Sequence, residues 1–253
     1  MTHRTRRRTR RTAALAAATA AVLLATACGG QDDDSAGTPA DDAAKAGDAG
    51  DAGDAAGGDD PAELIEAVNE AMSSTTFHVS GTTTALGGGQ QEGWSDPEVG
   101  VRLEYRTEEL PHGEMYCGAD GYLYSSMSLF EVQLRQMGED PDIPEDLADH
   151  YVVNEVPGGD CGFVYKIDAS GASGEAGEVD GVPTTTLVVK QQGNEDTYHI
   201  AAEGEPYLLR LDSLYDGRES TSVYDSFGDP VEISLPSEDE TIHMDALRTR
   251  LGL

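Results

Sequence analysis

Positively charged side chains are scarce in this chain. Its 253 residues include 16 Lys and Arg against 48 Asp and Glu. Six arginines lie before Cys28 and all the acidic residues lie after it, so the part beyond Cys28 has 10 basic and 48 acidic side chains, a formal charge of −38. Because so negative a surface repels phosphate groups, it excludes nucleic acid and anionic lipid headgroups as surface partners.

A long apolar run is also missing. Residues 13–27 are an uncharged stretch of 15, rich in Ala and Leu, that follows the arginine-rich residues 2–12. At ~1.5 Å per helical residue, this stretch is too short to span ~30 Å of hydrocarbon comfortably. A basic segment followed by a short apolar one is typical of a signal peptide, which we predict at residues 1–27.

The end of this signal peptide, Leu24-Ala25-Thr26-Ala27-Cys28, matches a lipoprotein cleavage site, although Ala25 stands where Leu is commonest. We therefore predict that Cys28 carries diacylglycerol and acyl chains such as palmitate, since two or more chains anchor a protein stably. The chain would then be a lipoprotein on the extracytoplasmic face of the cell membrane, held there by lipid alone. The alternative is an ordinary cleaved signal peptide in which Cys28 is incidental.

Cysteine is rare as well, with three residues in the whole chain. If Cys28 carries lipid, Cys117 and Cys161 remain as an even pair in an oxidising compartment, which favours a disulfide bond between them. The bond would join residues 44 positions apart and stabilise the fold by ~3–4 kcal/mol. A thiolate metal site is the weaker alternative, because neither cysteine has a second ligand at metal-site spacing.

Large apolar residues are absent from residues 29–59, which consist mainly of Asp, Gly and Ala. Such a segment cannot bury enough surface to offset the entropy of ordering it, so residues 28–59 are predicted to be the lipidated cysteine and a disordered tether. A calcium site is the weaker alternative, since the ligand spacing of an EF-hand is missing. The folded part is predicted at residues 60–253, within the size of one domain.

Apolar spacing divides this domain into helices and strands. Helical spacing is present in residues 61–73, 128–137 and 243–251, and the first helix follows the capping sequence Asp60-Pro61-Ala62-Glu63. Segments rich in β-forming residues predict strands at 75–85, 99–107, 115–124 (a hairpin), 184–190, 198–202, 207–214, 220–224 and 231–235. Strands joined by short turns form antiparallel sheets, so the predicted fold class is α+β, with helices on one face of an antiparallel sheet.

Several motifs, in their order along the chain, resemble a known family. They are residues 62–74 running into Phe77-His78-Val79-Ser80-Gly81, then Asp120-Gly121-Tyr122-Leu123-Tyr124, Asp180-Gly181-Val182-Pro183-Thr184, Glu205-Pro206-Tyr207-Leu208-Leu209-Arg210 and Ser226-Phe227-Gly228-Asp229-Pro230-Val231-Glu232-Ile233. Together with the lipoprotein signal, this order resembles the LolA/LppX-like lipoproteins of actinobacteria over most of residues 61–236. The resemblance implies a curved sheet (an incomplete β-barrel) closed by helices over an apolar cavity, and a role in carrying a hydrophobic, lipid-like ligand.

Nine apolar or aromatic residues of the predicted strands are candidates for lining such a cavity. They are Phe77, Val79, Val101, Leu103, Tyr122, Tyr124, Leu187, Val189 and Leu208. If the sheet curves into a half-barrel, some of these side chains would face a ligand. Otherwise they form the core, which is the simpler interpretation of any single one.

No catalytic motif is recognisable. No two of the six histidines lie within five residues of each other, no serine lies in a G-x-S-x-G motif, and no glycine-rich loop contains a phosphate-binding lysine. We therefore assign no catalytic residue, metal ligand or cofactor, and predict a non-enzymatic, membrane-anchored carrier of a hydrophobic ligand. The alternative is an envelope lipoprotein with a filled core that binds a protein partner of unknown identity. An enzyme is the third hypothesis.

Overall fold

The structure is a computed structural model, and it describes residues 60–168 and 170–252. The predicted signal peptide, Cys28 and the predicted tether at 28–59 lie outside these residues. The described residues contain three α-helices: α1 (Pro61–Ser73), α2 (Met127–Gln136) and α3 (Met244–Leu251). All three lie close to the ranges predicted from helical spacing. None of the described helices has the length and apolar character needed to cross a membrane.

The strands form one sheet. In chain order they are β1 (Phe77–Thr83), β2 (Gly89–Asp96), β3 (Gly100–Arg106), β4 (Gly113–Gly118), β5 (Tyr122–Ser126), β6 (Tyr151–Glu155), β7 (Ala172–Ser173), β8 (Gly177–Val179), β9 (Val182–Gln191), β10 (Asn194–Ala201), β11 (Leu208–Tyr215), β12 (Arg218–Asp225) and β13 (Thr241–His243). Their order across the sheet is β13-β6-β5-β4-β3-β2-β1-β12-β11-β10-β9-β7, and β8 also pairs with β9.

All neighbouring strands in the described residues are antiparallel except β13 and β6, which are parallel. The sheet is curved and open, and it does not close into a barrel. The predicted fold class, α+β with an antiparallel sheet, is therefore confirmed. The predicted hairpin at 115–124 is confirmed too, as β4 and β5.

Helix α1 begins where its capping sequence predicts. The side chain of Asp60 accepts a hydrogen bond from the backbone N–H of Ala62 at 2.9 Å, and Pro61 occupies the first helical position, where no N–H is needed. Leu64, Val68 and Met72 then recur every four residues, and all three are buried. The spacing of these residues decides which side of the helix packs on the sheet.

One face of the sheet, here called the inner face, carries the helices. The strand register places Val79 opposite Gly93 and Gly93 opposite Leu103 on this face. Helix α1 covers one half of it in a buried cluster that comprises Leu64, Val68, Met72, Phe77, Val79, Ile167, Leu187, Val189, Tyr198, Ile200, Leu208 and Tyr224. Helices α2 and α3 cover the other half, where Met127 and Leu247 pack with Val152 of β6. The outer face carries polar and aromatic side chains.

The strand predicted at residues 231–235 is wrong, because these residues have no regular secondary structure. Pro230 and Pro236, which flank the segment, have no N–H to donate to a neighbouring strand. Strand β13 pairs with β6 at the end of the sheet instead.

Two strands inside the sheet, β2 and β6, are not predicted by the sequence. Residues 89–96 (GQQEGWSD) contain two glycines and few β-forming residues. In the structure they nevertheless pair over seven positions with β1 and over seven with β3. Hydrogen bonds from both neighbours therefore outweigh the weak intrinsic preference of β2.

Candidate ligand-binding groove

Seven of the nine predicted cavity residues lie together on the inner face, and each is at most 5 % exposed. They are Phe77, Val79, Val101, Leu103, Leu187, Val189 and Leu208. Five of the seven pack in the cluster under α1, and the other two pack around the buried Cys117. In the described structure, these seven side chains are therefore covered by other side chains of the protein.

Tyr122 and Tyr124 are not brought together with those seven. The register places Tyr124 opposite Tyr116, which lies opposite Arg102 on the outer face. The hydroxyl of Tyr124 donates a hydrogen bond to the carboxylate of Asp120 at 2.8 Å, and the ring of Tyr122 packs edge-on against a histidine of β13. The two tyrosines thus lie on the side of the sheet away from the helices.

The inner face is closely packed at Gly93, midway across the sheet. A Cβ atom at this position would lie 2.4 Å from Cδ2 of Leu103 and 2.9 Å from Cγ1 of Val79, well inside van der Waals contact. The side chains of the neighbouring strands therefore close over the backbone of β2. This packing links the cluster under α1 to the cluster around Cys117.

A disulfide bond joins Cys117 of β4 to Cys161, the pair expected from the sequence. Cys117 is 1 % exposed and packs against Val101 and Leu103. Val164, three residues after Cys161, contacts the same cluster and accepts a hydrogen bond at its carbonyl from the hydroxyl of Tyr224 at 2.6 Å. The bond thereby holds residues 159–168, here called the crossing segment, against the sheet.

Asn69 connects α1 to the crossing segment. Its side-chain nitrogen donates to the carbonyl of Ile167 at 3.0 Å, and its side-chain oxygen accepts from the N–H of the same residue at 2.9 Å. A single side chain thus satisfies both backbone groups of Ile167, which is 3 % exposed. These two hydrogen bonds set the distance between the helix and the segment.

A continuous groove, here called the α1 groove, runs between α1 and the crossing segment and continues past Ser73 between that segment and the ends of β2 and β3. It consists of three adjoining hollows of ≈ 790, ≈ 380 and ≈ 310 Å³. The first two share Ala62 and Ile65, and the first and third share Ser73, Asp160 and Tyr165. From Ala62 to Ser73, the helical wall extends for about 16 Å at ~1.5 Å per residue.

The more buried lining of the α1 groove is apolar and its exposed lining is acidic. Ile65 and Tyr165 are half-buried and Ile167 is buried. Burial raises the pKa of the Tyr165 phenol. Six carboxylates line the three hollows, against one basic residue, Lys166: they are Asp60, Glu66, Glu70, Asp96, Asp160 and Asp168.

Lys166 is engaged by the carboxylates around it. Its ammonium group donates to Asp160 at 2.5 Å and lies 4.0 Å from Asp168. The hydrogen bonds from Lys166 and from the backbone N–H of Gly162 lower the pKa of Asp160. The remaining lining carboxylates leave the groove with a net negative charge.

A second polar cluster lies on the outer face and is centred on Arg102. Its guanidinium group donates to Glu104 and to Glu114, each at 2.7 Å, and lies 5.2 Å from the ring centre of Trp94. The hydroxyl of Tyr151 donates to the other oxygen of Glu114 at 2.6 Å. Burial alone would raise the pKa of Glu114, but the hydrogen bonds from Tyr151 and Arg102 outweigh it and hold this pKa below its usual value. Since these groups bind one another, the cluster stabilises the sheet.

We expect Glu114→Gln to lower the free energy of unfolding at pH 7 by roughly 1–3 kcal/mol, because Arg102 loses a charged partner. The ordinary pKa of Glu114 is 4.5 and the folded-state value is lower, so the contribution is complete above 4.5 and is lost as the pH falls through the folded-state pKa. The variant has no carboxyl group there to protonate. Urea unfolding at pH 7 and at about pH 3 should therefore show the gap between the two proteins shrinking in acid.

Glu131→Gln is the matched control for that experiment. Glu131 pairs with Arg135 at 2.8 Å on the exposed surface of α2, where an ion pair contributes roughly 0.3–0.5 kcal/mol. A gap between wild type and Glu114→Gln that stays constant from pH 7 into acid would contradict the assignment.

Among the described residues, no histidine lines the α1 groove. His78 bonds to Asp225 at 3.1 Å, and His199 bonds to Asp212 at 3.0 Å, both on the outer face. Within residues 60–168 and 170–252, no three His, Cys, Asp or Glu side chains are arranged to hold a metal ion.

Apart from Val101 and Cys161, which line the third hollow, the residues of the α1 groove are not among the site candidates that the sequence indicates. Ile65 belongs to the apolar stripe of α1. The disulfide expected between Cys161 and Cys117 indicates that the crossing segment is attached to β4. Nothing in the local sequence, however, indicates that Asn69 contacts Ile167, 98 residues away. The second wall of the groove is therefore visible only in the folded chain.

No family model and no curated protein matches the sequence. Several solved structures are similar to it in general fold. LprF from Mycobacterium bovis has a TM-score of 0.40 at 13 % identity, covering 69 % of this chain and 96 % of LprF. The Mycobacterium tuberculosis lipoprotein LppX has a TM-score of 0.36 at 14 % identity, covering 69 % of this chain and all of LppX.

A LolA superfamily protein from Nitrosomonas europaea has a TM-score of 0.32 at 10 % identity, covering 72 % of this chain and 98 % of that protein. LppX and the LolA superfamily protein belong to the family that the sequence motifs resemble. Similarity at this level concerns the general arrangement of strands, and it transfers no ligand and no residue role to this chain.

Proposed function

We propose that this chain is a lipoprotein held at the extracytoplasmic face of the membrane through Cys28, and that its domain binds a ligand without catalysis. The ligand lies in the α1 groove, where its apolar groups contact Ile65 and Tyr165. The observation that carries this proposal is the continuity of the three hollows, two along α1 and the third beyond its last residue, Ser73. Sites for small ligands are commonly concave, with apolar surface and a few polar groups.

The burial of the seven inner-face residues supports a site outside the core. A ligand between the sheet and α1 would have to displace Leu64, Val68 and Met72, which are at most 4 % exposed. The α1 groove needs no such displacement. The lining residues also favour binding over catalysis, since the described lining contains no histidine and its cysteine, Cys161, is part of the disulfide.

We expect Ala62→Trp to abolish ligand binding and Ala67→Trp to leave it unchanged. Both alanines are exposed on α1, but only Ala62 lines the groove, at the junction of two hollows. An indole ring at Ala62 fills the junction without entering the core. The measurement is mass spectrometry of the full chain and both variants, purified under native conditions from a lipid-rich actinobacterial host, with organic extraction of what copurifies. Equal ligand content in the two variants would place the site elsewhere.

Membrane attachment is tested by Cys28→Ser. The lipidated chain should partition into the detergent phase of a two-phase extraction, whereas the variant should lose its diacylglycerol and fail to be processed at residue 28. Intact mass measured on both proteins identifies the acyl chains. An unmodified Cys28 in the mature wild-type protein would contradict the anchor and support an ordinary signal peptide.

A further inference from the structure

We infer that the occupant of the α1 groove is an extended, basic peptide segment with apolar residues between its cations. This inference rests on the proposed function, because it names the ligand class of the same groove. Its basis is the negative charge of the groove, which is opposite in sign to the charge of such a peptide, and the length of the groove over which the carboxylates are distributed.

The carboxylates of the α1 groove lie on both of its walls. Glu66 and Glu70 project from α1, while Asp160 and Asp168 belong to the crossing segment. Asp60 lies in the second hollow and Asp96 in the third. A ligand with one cationic headgroup would meet only part of this array. A chain with a cation every two or three residues meets it along its whole length.

Helix α1 contains no residue that neutralises its own acids. Glu66 and Glu70 are four positions apart, where like charges destabilise a helix. Glu70 also lies in the last turn, at the negative end of the helix dipole, and that turn has no basic residue. Among the described residues, neither carboxylate has Lys or Arg within ion-pair distance. A cationic ligand removes this repulsion.

The dimensions of the groove suit a short peptide. The helical wall of about 16 Å accommodates roughly five extended residues at ~3.3 Å each. Because side chains of an extended peptide alternate in direction, apolar residues can face Ile65 and Tyr165 while basic residues reach the carboxylates. Residues 60–252 contain 9 basic and 39 acidic side chains, so the field of the domain attracts a basic partner and repels a fatty acid.

The test is calorimetric titration of the full chain with a blocked peptide of alternating lysine and leucine, about eight residues long. We expect binding that weakens between ~0.1 M and ~1 M salt. The double variant Glu66→Gln/Glu70→Gln should weaken it roughly tenfold, at a factor of two to five for each exposed charge pair. Glu63→Gln is the matched control, because Glu63 is exposed on α1 outside the groove lining, and it should change binding less than about twofold.

The same titration is made with the peptide in which glutamate replaces lysine, and with oleate. Equal binding of the acidic peptide, no binding of the basic one, or no effect of the double variant overturns the inference. Oleate binding that Ala62→Trp abolishes, without peptide binding, overturns the inference but supports the proposed function. If Ala62→Trp changes the binding of neither probe, the inference and the proposed function are both wrong. Thermal unfolding of each variant is the control, since a melting temperature close to that of wild type means that a loss of binding does not arise from a loss of fold.

Discussion

Replacing Phe77 with alanine should lower the free energy of unfolding by about 3–5 kcal/mol. Phe77 is fully buried, and its ring lies 5.7 Å from that of Tyr165, edge to face, and 5.9 Å from that of Tyr224. Truncation removes the aromatic contacts and leaves a cavity between β1 and α1 that the surrounding side chains fill only in part. Denaturant unfolding of the full chain, followed by far-ultraviolet circular dichroism, measures the change.

Two further variants make this experiment decide between a core residue and a cavity residue. Phe77→Leu retains much of the volume and should cost less than about 1.5 kcal/mol. Phe163→Ala removes a phenyl ring that is 52 % exposed, and should change stability by no more than about 0.5 kcal/mol. If Phe77→Ala behaved like Phe163→Ala, the space beside Phe77 would already be open. The predicted apolar cavity between sheet and helices would then be favoured over the α1 groove.

Removing the disulfide bond should destabilise the fold by about 3–4 kcal/mol. The bond joins residues 44 positions apart, and its loss increases the entropy of the unfolded chain. The paired variant Cys117→Ala/Cys161→Ala and chemical reduction of wild type should give similar losses. The double variant, unlike a single one, leaves neither partner of the bond as a free thiol that could form a wrong bond.

The disulfide also affects the α1 groove. The crossing segment forms one wall, and without the bond it is held mainly by Asn69 and by the packing of Val164 and Ile167. Hydrogen exchange of residues 159–168 should therefore increase more than exchange in α2. Unchanged exchange in the segment, together with an unchanged unfolding free energy, would contradict both roles of the bond.

The sequence by itself determined those features whose cause is local. Asp60 and Pro61 begin α1 through a cap and a fixed backbone angle, and the spacing of Leu64 and Val68 decides which side is buried. The turn at 119–121 places β4 beside β5 in the same way. The excess of carboxylates over basic residues is a property of composition, so folding does not alter it.

Only the tertiary structure decided the features that depend on distant partners. Strand β2 forms because both neighbours supply hydrogen bonds, whereas residues 231–235 have no strand to pair with despite their alternation. Tyr124 lies on the outer face because the pairing of β5 with β4 sets its direction, and a shift of one residue would reverse it. The α1 groove exists because Asn69 reaches Ile167 across 98 residues of sequence. Such contacts arise from the packing of whole elements, and no local pattern encodes them.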